Sequence, residues 1–152
     1  MAVATKVLLV EDSKFLRIAG ERALNKAGYL VVTASDGEQA LTIANEQLPD
    51  IILLDMLIPK VSGQDVLRAL KKAPATNEIP VVVVSSLSQA NADKLLAAGA
   101  AAYFEKSTLA LEKNSDLLAA VVERVLGQVT HQREVETRLR ELAAKKAAAS
   151  GD

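Results

Sequence analysis

Five side chains could do chemistry together here, and each lies just past a short apolar run: the adjacent acids Glu11 and Asp12, then Asp55, Ser85 and Lys106. Three carboxylates brought together repel one another, and burial sharpens the repulsion. A hard divalent cation with oxygen ligands relieves it, and Mg²⁺ favours one or two carboxylates together with phosphate oxygens. Lys106 adds a flexible point charge able to reach both Asp55 and an incoming phosphoryl group. Ser85 adds a hydroxyl donor. An aspartate nucleophile, a cation, an ammonium and a hydroxyl make a phosphoryl-transfer site, with in-line attack and the equatorial oxygens neutralised from several sides. Taken singly, each residue has an ordinary explanation. Asp55 alone is a turn or helix cap, Glu11-Asp12 a solvated loop entering a helix, Ser85 a loop hydroxyl and Lys106 a surface lysine. Tyr103 alone is a core or edge residue, and His131, in a charged stretch, is solvated and has no role. The functional reading rests on their coincidence at four strand ends.

The elements that must position them follow from hydrophobic pattern. Ile51-Ile52-Leu53-Leu54 runs straight into Asp55 with no polar alternation, which is the mark of a strand buried on both faces. Lys6 to Val10, Leu30 to Ala34 and Val81 to Val84 read the same way, and Ala101 to Phe104 is a short fifth strand. Between them fall helices over Ser13–Ala27 with Ser13 as cap and Gly28 as stop, Glu38–Gln47 after an Asp36-Gly37 turn, Gln64–Lys72, and Ala90–Ala98. Strands alternating with helices predict an α/β fold, a doubly wound five-stranded parallel sheet with right-handed crossovers. In such sheets ligands bind at the carboxyl ends of the strands, where all five candidate residues lie. No GxGxxG follows the first strand and no GxxxxGK[ST] occurs, so dinucleotide and P-loop versions of the fold are unsupported.

The C-terminal part differs. Ser115 to about Ala148 carries helix formers almost throughout, with Gly127 the one weak point. Leu118, Val121, Val122, Val125 and Leu126 form a broad stripe that packs on the sheet. Beyond it the stripe thins to Val129, Val135, Leu139 and Leu142, and the heptad spacing 118-125-139 is broken by Gln132. The last ten residues are expected to fray. We therefore divide the chain into a domain over 1–126 and a helical extension over 127–152, a dimerisation or partner helix or a linker stub.

Composition bounds the rest. The chain has 152 residues, of which 50% are hydrophobic and 24% charged, an ordinary globular balance. A net charge of -1 offers no field for nucleic acid or an anionic membrane. Without cysteine there is no disulfide, thiol catalysis or thiolate metal site. Neither a signal peptide nor an apolar run of membrane-spanning length is present, so a cytoplasmic protein is expected.

The runs Leu-Val-Glu-Asp-Ser, Ile-Ile-Leu-Leu-Asp-Met-x-x-Pro-x-x-x-Gly, Val-Val-Val-Ser-Ser and Tyr-Phe-Glu-Lys together resemble a response-regulator receiver domain of bacterial two-component signalling. The resemblance spans Lys6 to about Leu126. It implies the flavodoxin-like strand order 2-1-3-4-5 and a set of roles. Asp55 accepts a phosphoryl group from a sensor histidine kinase or a histidine phosphotransfer protein. Asp12, Asp55 and the Leu57 backbone carbonyl ligate Mg²⁺, with Glu11 acting partly through water. Ser85 binds a phosphoryl oxygen, Lys106 pairs with the phosphate, and Tyr103 swings inward as Ser85 moves. A downstream protein partner docks on the fourth helix, fifth strand and fifth helix. Such a protein catalyses only its own phosphoryl transfer and slow loss, and is not an enzyme in the usual sense.

Three departures from the family pattern stand out. Ser107 replaces a customary proline after Lys106, which removes the main reason to expect a cis peptide there. Thr108 to Asp116 is longer than usual. Leu57 is apolar where faster-hydrolysing members hold water with a polar group, so a long-lived phosphoryl group is expected. Only 26 residues, 127–152, follow Leu126, too few for an effector domain of usual size, and their charges are mixed. Two other classes compete with a phosphoryl-accepting receiver. An aspartyl-phosphate phosphatase needs a second Asp two residues after the nucleophile, where Leu57 stands. A degenerate receiver used only for binding would not need the acidic residues that are all present.

Overall fold

A computed structural model describes residues 4–86, 92–106 and 116–149. Five strands, β1 (Lys6–Val10), β2 (Leu30–Ala34), β3 (Ile51–Leu54), β4 (Val81–Ser85) and β5 (Ala102–Glu105), form one sheet in the order β2-β1-β3-β4-β5. Every pairing is parallel. The helices are α1 (Lys14–Lys26), α2 (Gly37–Gln47), α3 (Gly63–Lys72), α4 (Ala92–Ala97) and α5 (Asp116–Ala149). This is the doubly wound sheet, strand order and extended C-terminal helix that the sequence predicts.

The unbroken apolar runs are explained by what covers them. Leu8, Val10, Ile52, Leu54, Val81 and Val83 face one side, under Ala40 and Ala44 of α2, Val66, Leu67 and Leu70 of α3, and Leu95 of α4. Their alternate neighbours Val7, Leu9, Ile51, Leu53, Val82 and Val84 face the other side, against Leu24 of α1 and Leu118, Val121, Val122 and Val125 of α5. Full burial of a side chain of this size is worth about 1.5–3 kcal/mol, so both faces hold the central strands in place. Ser13, Asp36 and Ser62 cap α1, α2 and α3, accepting from the backbone N–H of Leu16, Gln39 and Asp65 at 3.3, 2.8 and 3.2 Å. Each cap contributes about 1 kcal/mol, and the first keeps the turn carrying Glu11 and Asp12 short.

Several boundaries differ from expectation. Gly37, read as a turn residue, is the first residue of α2, and α3 starts at Gly63 rather than Gln64. Both glycines are needed for close approach: a Cβ on Gly37 would run into the Val61 carbonyl oxygen, and one on Gly63 would lie 2.6 Å from that of Asp55. Strand β4 continues through Ser85 because Ser85 pairs with Glu105, which also moves β5 one residue on. Helix α5 passes Gly127 without a break and continues to Ala149, so most of the end expected to fray is helical. Glu134/Arg138, Glu136/Arg140 and Glu141/Lys145, each four apart with the acid first, favour that. The expected helix starts at Ala90 and Ser115, the peptide before Ser107 and the long segment from Thr108 lie outside the described residues.

Candidate functional site

Sheet register brings the chemistry together. Val10 pairs with Leu54, so Glu11 and Asp55 leave adjacent central strands side by side, and the Asp55 N–H donates to Val10 O at 3.2 Å. Ser85 ends β4, the next strand over, and Lys106 follows β5 beyond it. The loop after Asp55 is pinned from two sides. Gly63 N–H donates to Met56 O at 3.2 Å and Gly37 N–H to Pro59 O at 3.1 Å.

The Lys106 ammonium lies 2.6 Å from Glu11 Oε1 and 2.9 Å from Asp55 Oδ2, so it bridges two carboxylates. Asp55 Oδ1 accepts from Ser85 Oγ at 3.3 Å and from the Leu57 N–H at 3.1 Å. Glu11, Asp55 and Ser85 are buried, whereas Asp12 is exposed. Oxygens of Glu11, Asp12 and Asp55 all lie within 4.8 Å of one another. Among the described residues, Glu11 Oε2 is buried with no hydrogen-bond partner. Three hard oxygen donors this close, one of them missing a partner, fit a divalent cation such as Mg²⁺.

Titration follows from this geometry. Burial pushes the Glu11 carboxyl up to about 7; a hydrogen bond shared with Asp55 pushes the same way, and Lys106 pulls back. A cavity of about 30 Å³, with room for about one water, lies under the site, walled largely by Leu9, Leu16, Leu53, Val84 and Leu118. These apolar walls account for the dominance of burial. Burial alone would lower the Lys106 pKa, but its bonds to Glu11 and Asp55 outweigh that and raise it.

All five residues read from strand ends therefore meet. Leu57 reaches the site through its backbone, and its side chain is 53% exposed at the mouth. Tyr103 is buried on β5, its hydroxyl pKa raised by burial and then by the charges of Glu105 and Asp55. Two contributors went unread. Arg17 of α1 donates to the carbonyls of Glu11 and Asp12 at 3.0 and 3.3 Å, fixing the acidic turn. Asp36, besides capping α2, sits 3.6 Å from the Lys60 ammonium in the loop after Asp55. An arginine one turn past the Ser13 cap is a usable signal for the first; nothing in the sequence pairs Asp36 with Lys60.

Known proteins agree with the geometry. Residues 7–121 match the family described as response regulator receiver domain. The gliding motility regulatory protein of Myxococcus xanthus is 42% identical over 122 residues, covering 79% of this chain and 15% of that protein. The chain spans about a third or less of the length of the curated relatives it matches. Among solved structures, the signal receiver domain of a LuxO repressor protein from Vibrio parahaemolyticus superposes with a TM-score of 0.73 at 28% identity, covering 88% of this chain and 98% of that one. The chemotaxis response regulator CheY4 of Vibrio cholerae gives 0.72 at 27% identity, covering 81% and 99%. With the acidic cluster, the bridging lysine and the strand order all in place, the chain belongs to the response regulator receiver domains of two-component systems.

Proposed function

We propose that Asp55 accepts a phosphoryl group from the phosphohistidine of a sensor kinase or histidine phosphotransfer protein. The observation that carries this is the Lys106 ammonium bridging Glu11 and Asp55 while Ser85 donates to the other Asp55 oxygen. A carboxylate oxygen of Asp55 attacks phosphorus, the P–N bond breaks, an acyl phosphate forms, and the departing imidazole takes up a proton. Lys106 and Ser85 then move from carboxylate to phosphoryl oxygens, carrying the charge that develops in flight. Asp12, Asp55 and the Leu57 carbonyl would hold Mg²⁺, with Glu11 acting partly through water. Bound there, the ion would supply positive charge to offset that of the phosphoryl group. Tyr103, already inward beside Ser85's strand, reports that shift to the surface of α4, β5 and α5, where a downstream protein docks. The chain turns over no separate substrate, and we assign it to the cytoplasm, where kinase domains hold phosphohistidine.

Exposed, apolar Leu57 cannot orient a water toward the acyl phosphate, so the adduct is long-lived; a half-life of only seconds in Mg²⁺ buffer would contradict this. The primary test is intact mass after incubation with acetyl phosphate and Mg²⁺. One added phosphoryl group is expected, absent in Asp55→Asn and with EDTA. An adduct retained in Asp55→Asn would place the acceptor elsewhere.

A further inference from the structure

We propose that Arg17 is a positioning residue for the cation site: itself a cation, it strengthens the hold of the acidic cluster on a divalent ion by fixing Asp12. Its Nη1 donates to two successive carbonyls, Glu11 O at 3.0 Å and Asp12 O at 3.3 Å. These belong to the peptides on either side of the Asp12 Cα, so together they set the direction in which that side chain leaves the turn. The neighbouring chain is pinned separately, by the Glu11 N–H donating to Ala34 O at 3.0 Å and by the Ser13 cap on Leu16 N–H at 3.3 Å. Glu11 and Asp55 have side-chain anchors as well. Lys106 bridges them, and Asp55 also accepts from Ser85 and the Leu57 N–H. Asp12 is exposed, and among the described residues its carboxylate makes no hydrogen bond or ion pair. Its place in the cluster depends on the backbone that Arg17 holds.

Repulsion makes that hold matter. Three carboxylates within 4.8 Å share one ammonium, and like charges this close push apart. Glu11 and Asp55 cannot separate while Lys106 bridges them. Asp12 can, by turning its carboxylate outward to water. With both carbonyls bound, the turn resists this, and the three oxygens stand together before an ion arrives. Arg17 therefore has two effects of opposite sign. As a positive charge it repels an incoming cation, so its loss would tighten binding. As a donor it holds a ligand in place, so its loss would weaken binding. Groups that orient metal ligands are typically worth about 10–100-fold in affinity, whereas solvent screening keeps the charge effect of a half-buried guanidinium small. Positioning wins. The inference rests on reading Glu11, Asp12 and Asp55 as a cation site, and it does not need Asp55 to accept a phosphoryl group.

Calorimetric titration of Mg²⁺ into the full chain reads the Kd without any turnover. Arg17→Met, which keeps most of the aliphatic stem and loses the donors, should raise the Kd about 10-fold or more, with urea unfolding in EDTA confirming a folded chain. If Arg17→Met does not fold, Arg17→Gln is read in the same way. Arg22→Met removes an exposed charge further along α1 and should leave the Kd unchanged. In an Asp12→Asn background Arg17→Met should add little further loss, because Arg17 acts through Asp12. Binding as tight as wild type or tighter in the Arg17 variant overturns the proposal, as the result expected from charge alone. So does an equal loss in Arg22→Met, or a loss that simply adds to that of Asp12→Asn. A wild type that binds no Mg²⁺ overturns the cation reading itself and this proposal with it, so the two failures are told apart.

Discussion

Glu11 and Asp55 share one ammonium, and their side chains are each only 5% exposed. The buried site thus carries one more negative charge than Lys106 can neutralise, and Glu11, with the lone oxygen, feels the excess. Its carboxyl is raised from an ordinary 4.5 to about 7, mainly by burial. A raised carboxyl pKa means that the folded protein holds a proton over a range where the unfolded chain has lost it. Stability from this group is therefore full below pH 4.5 and is lost as pH rises through about 7. In metal-free buffer, Glu11→Gln should remove that decline. The stability difference between variant and wild type, from urea unfolding at a series of pH values, should shift in the variant's favour between pH 4.5 and 8. A difference that stays flat with pH would show that another group carries the proton.

At the scale of elements, the segment from β3 to α3 decides where Asp55 points. Gly63 lets the start of α3 lie against the backbone of Asp55 and Met56, where a methyl group has no room. Gly63→Ala should cost about 1–3 kcal/mol in urea unfolding and, if Asp55 is the acceptor as proposed, slow phosphoryl uptake, because the clash falls on the Asp55 backbone. Gly127→Ala, in open space on α5, should instead gain roughly 0.5–1 kcal/mol from better helix propensity. These glycines also show where sequence reading succeeds and where it stops. The strands were legible because Val7–Val10, Ile51–Leu54 and Val81–Val84 have no polar residue to place outward. The site was legible because each acid, Ser85 and Lys106 follows such a run. Gly37 was read as a turn residue and Gly63 was left just outside its helix, because local pattern carries no sign of the close contacts with Val61, and with Asp55 and Met56, that require them. Arg17 was missed similarly, since its helix position says nothing about the carbonyls it reaches. The last turns of α5, to Ala149, were expected to fray because they lie at a chain end with no apolar stripe to anchor them, while a helix already anchored needs no second nucleation.

For the whole molecule, the acidic cluster exists only when the sheet is assembled, because its members come from the ends of β1 and β3, 44 positions apart from Glu11 to Asp55. A cation held there binds the folded chain and finds no equivalent site in the unfolded one, so binding and stability are linked. At a Mg²⁺ concentration 100 times its Kd the folded state gains about 2.7 kcal/mol, which for a chain of this size raises Tm by roughly 5–10 °C. Thermal unfolding in EDTA and in rising Mg²⁺ should trace that increase, and Asp12→Asn, altering an exposed side chain, should flatten it while leaving the EDTA value nearly unchanged. The same titration should steepen from pH 6 to pH 8, because a proton on Glu11 competes with the ion for the excess charge. A Tm indifferent to Mg²⁺ at both pH values would mean that Lys106 and the Glu11 proton together already balance the cluster, and that the site takes its phosphoryl group without a cation.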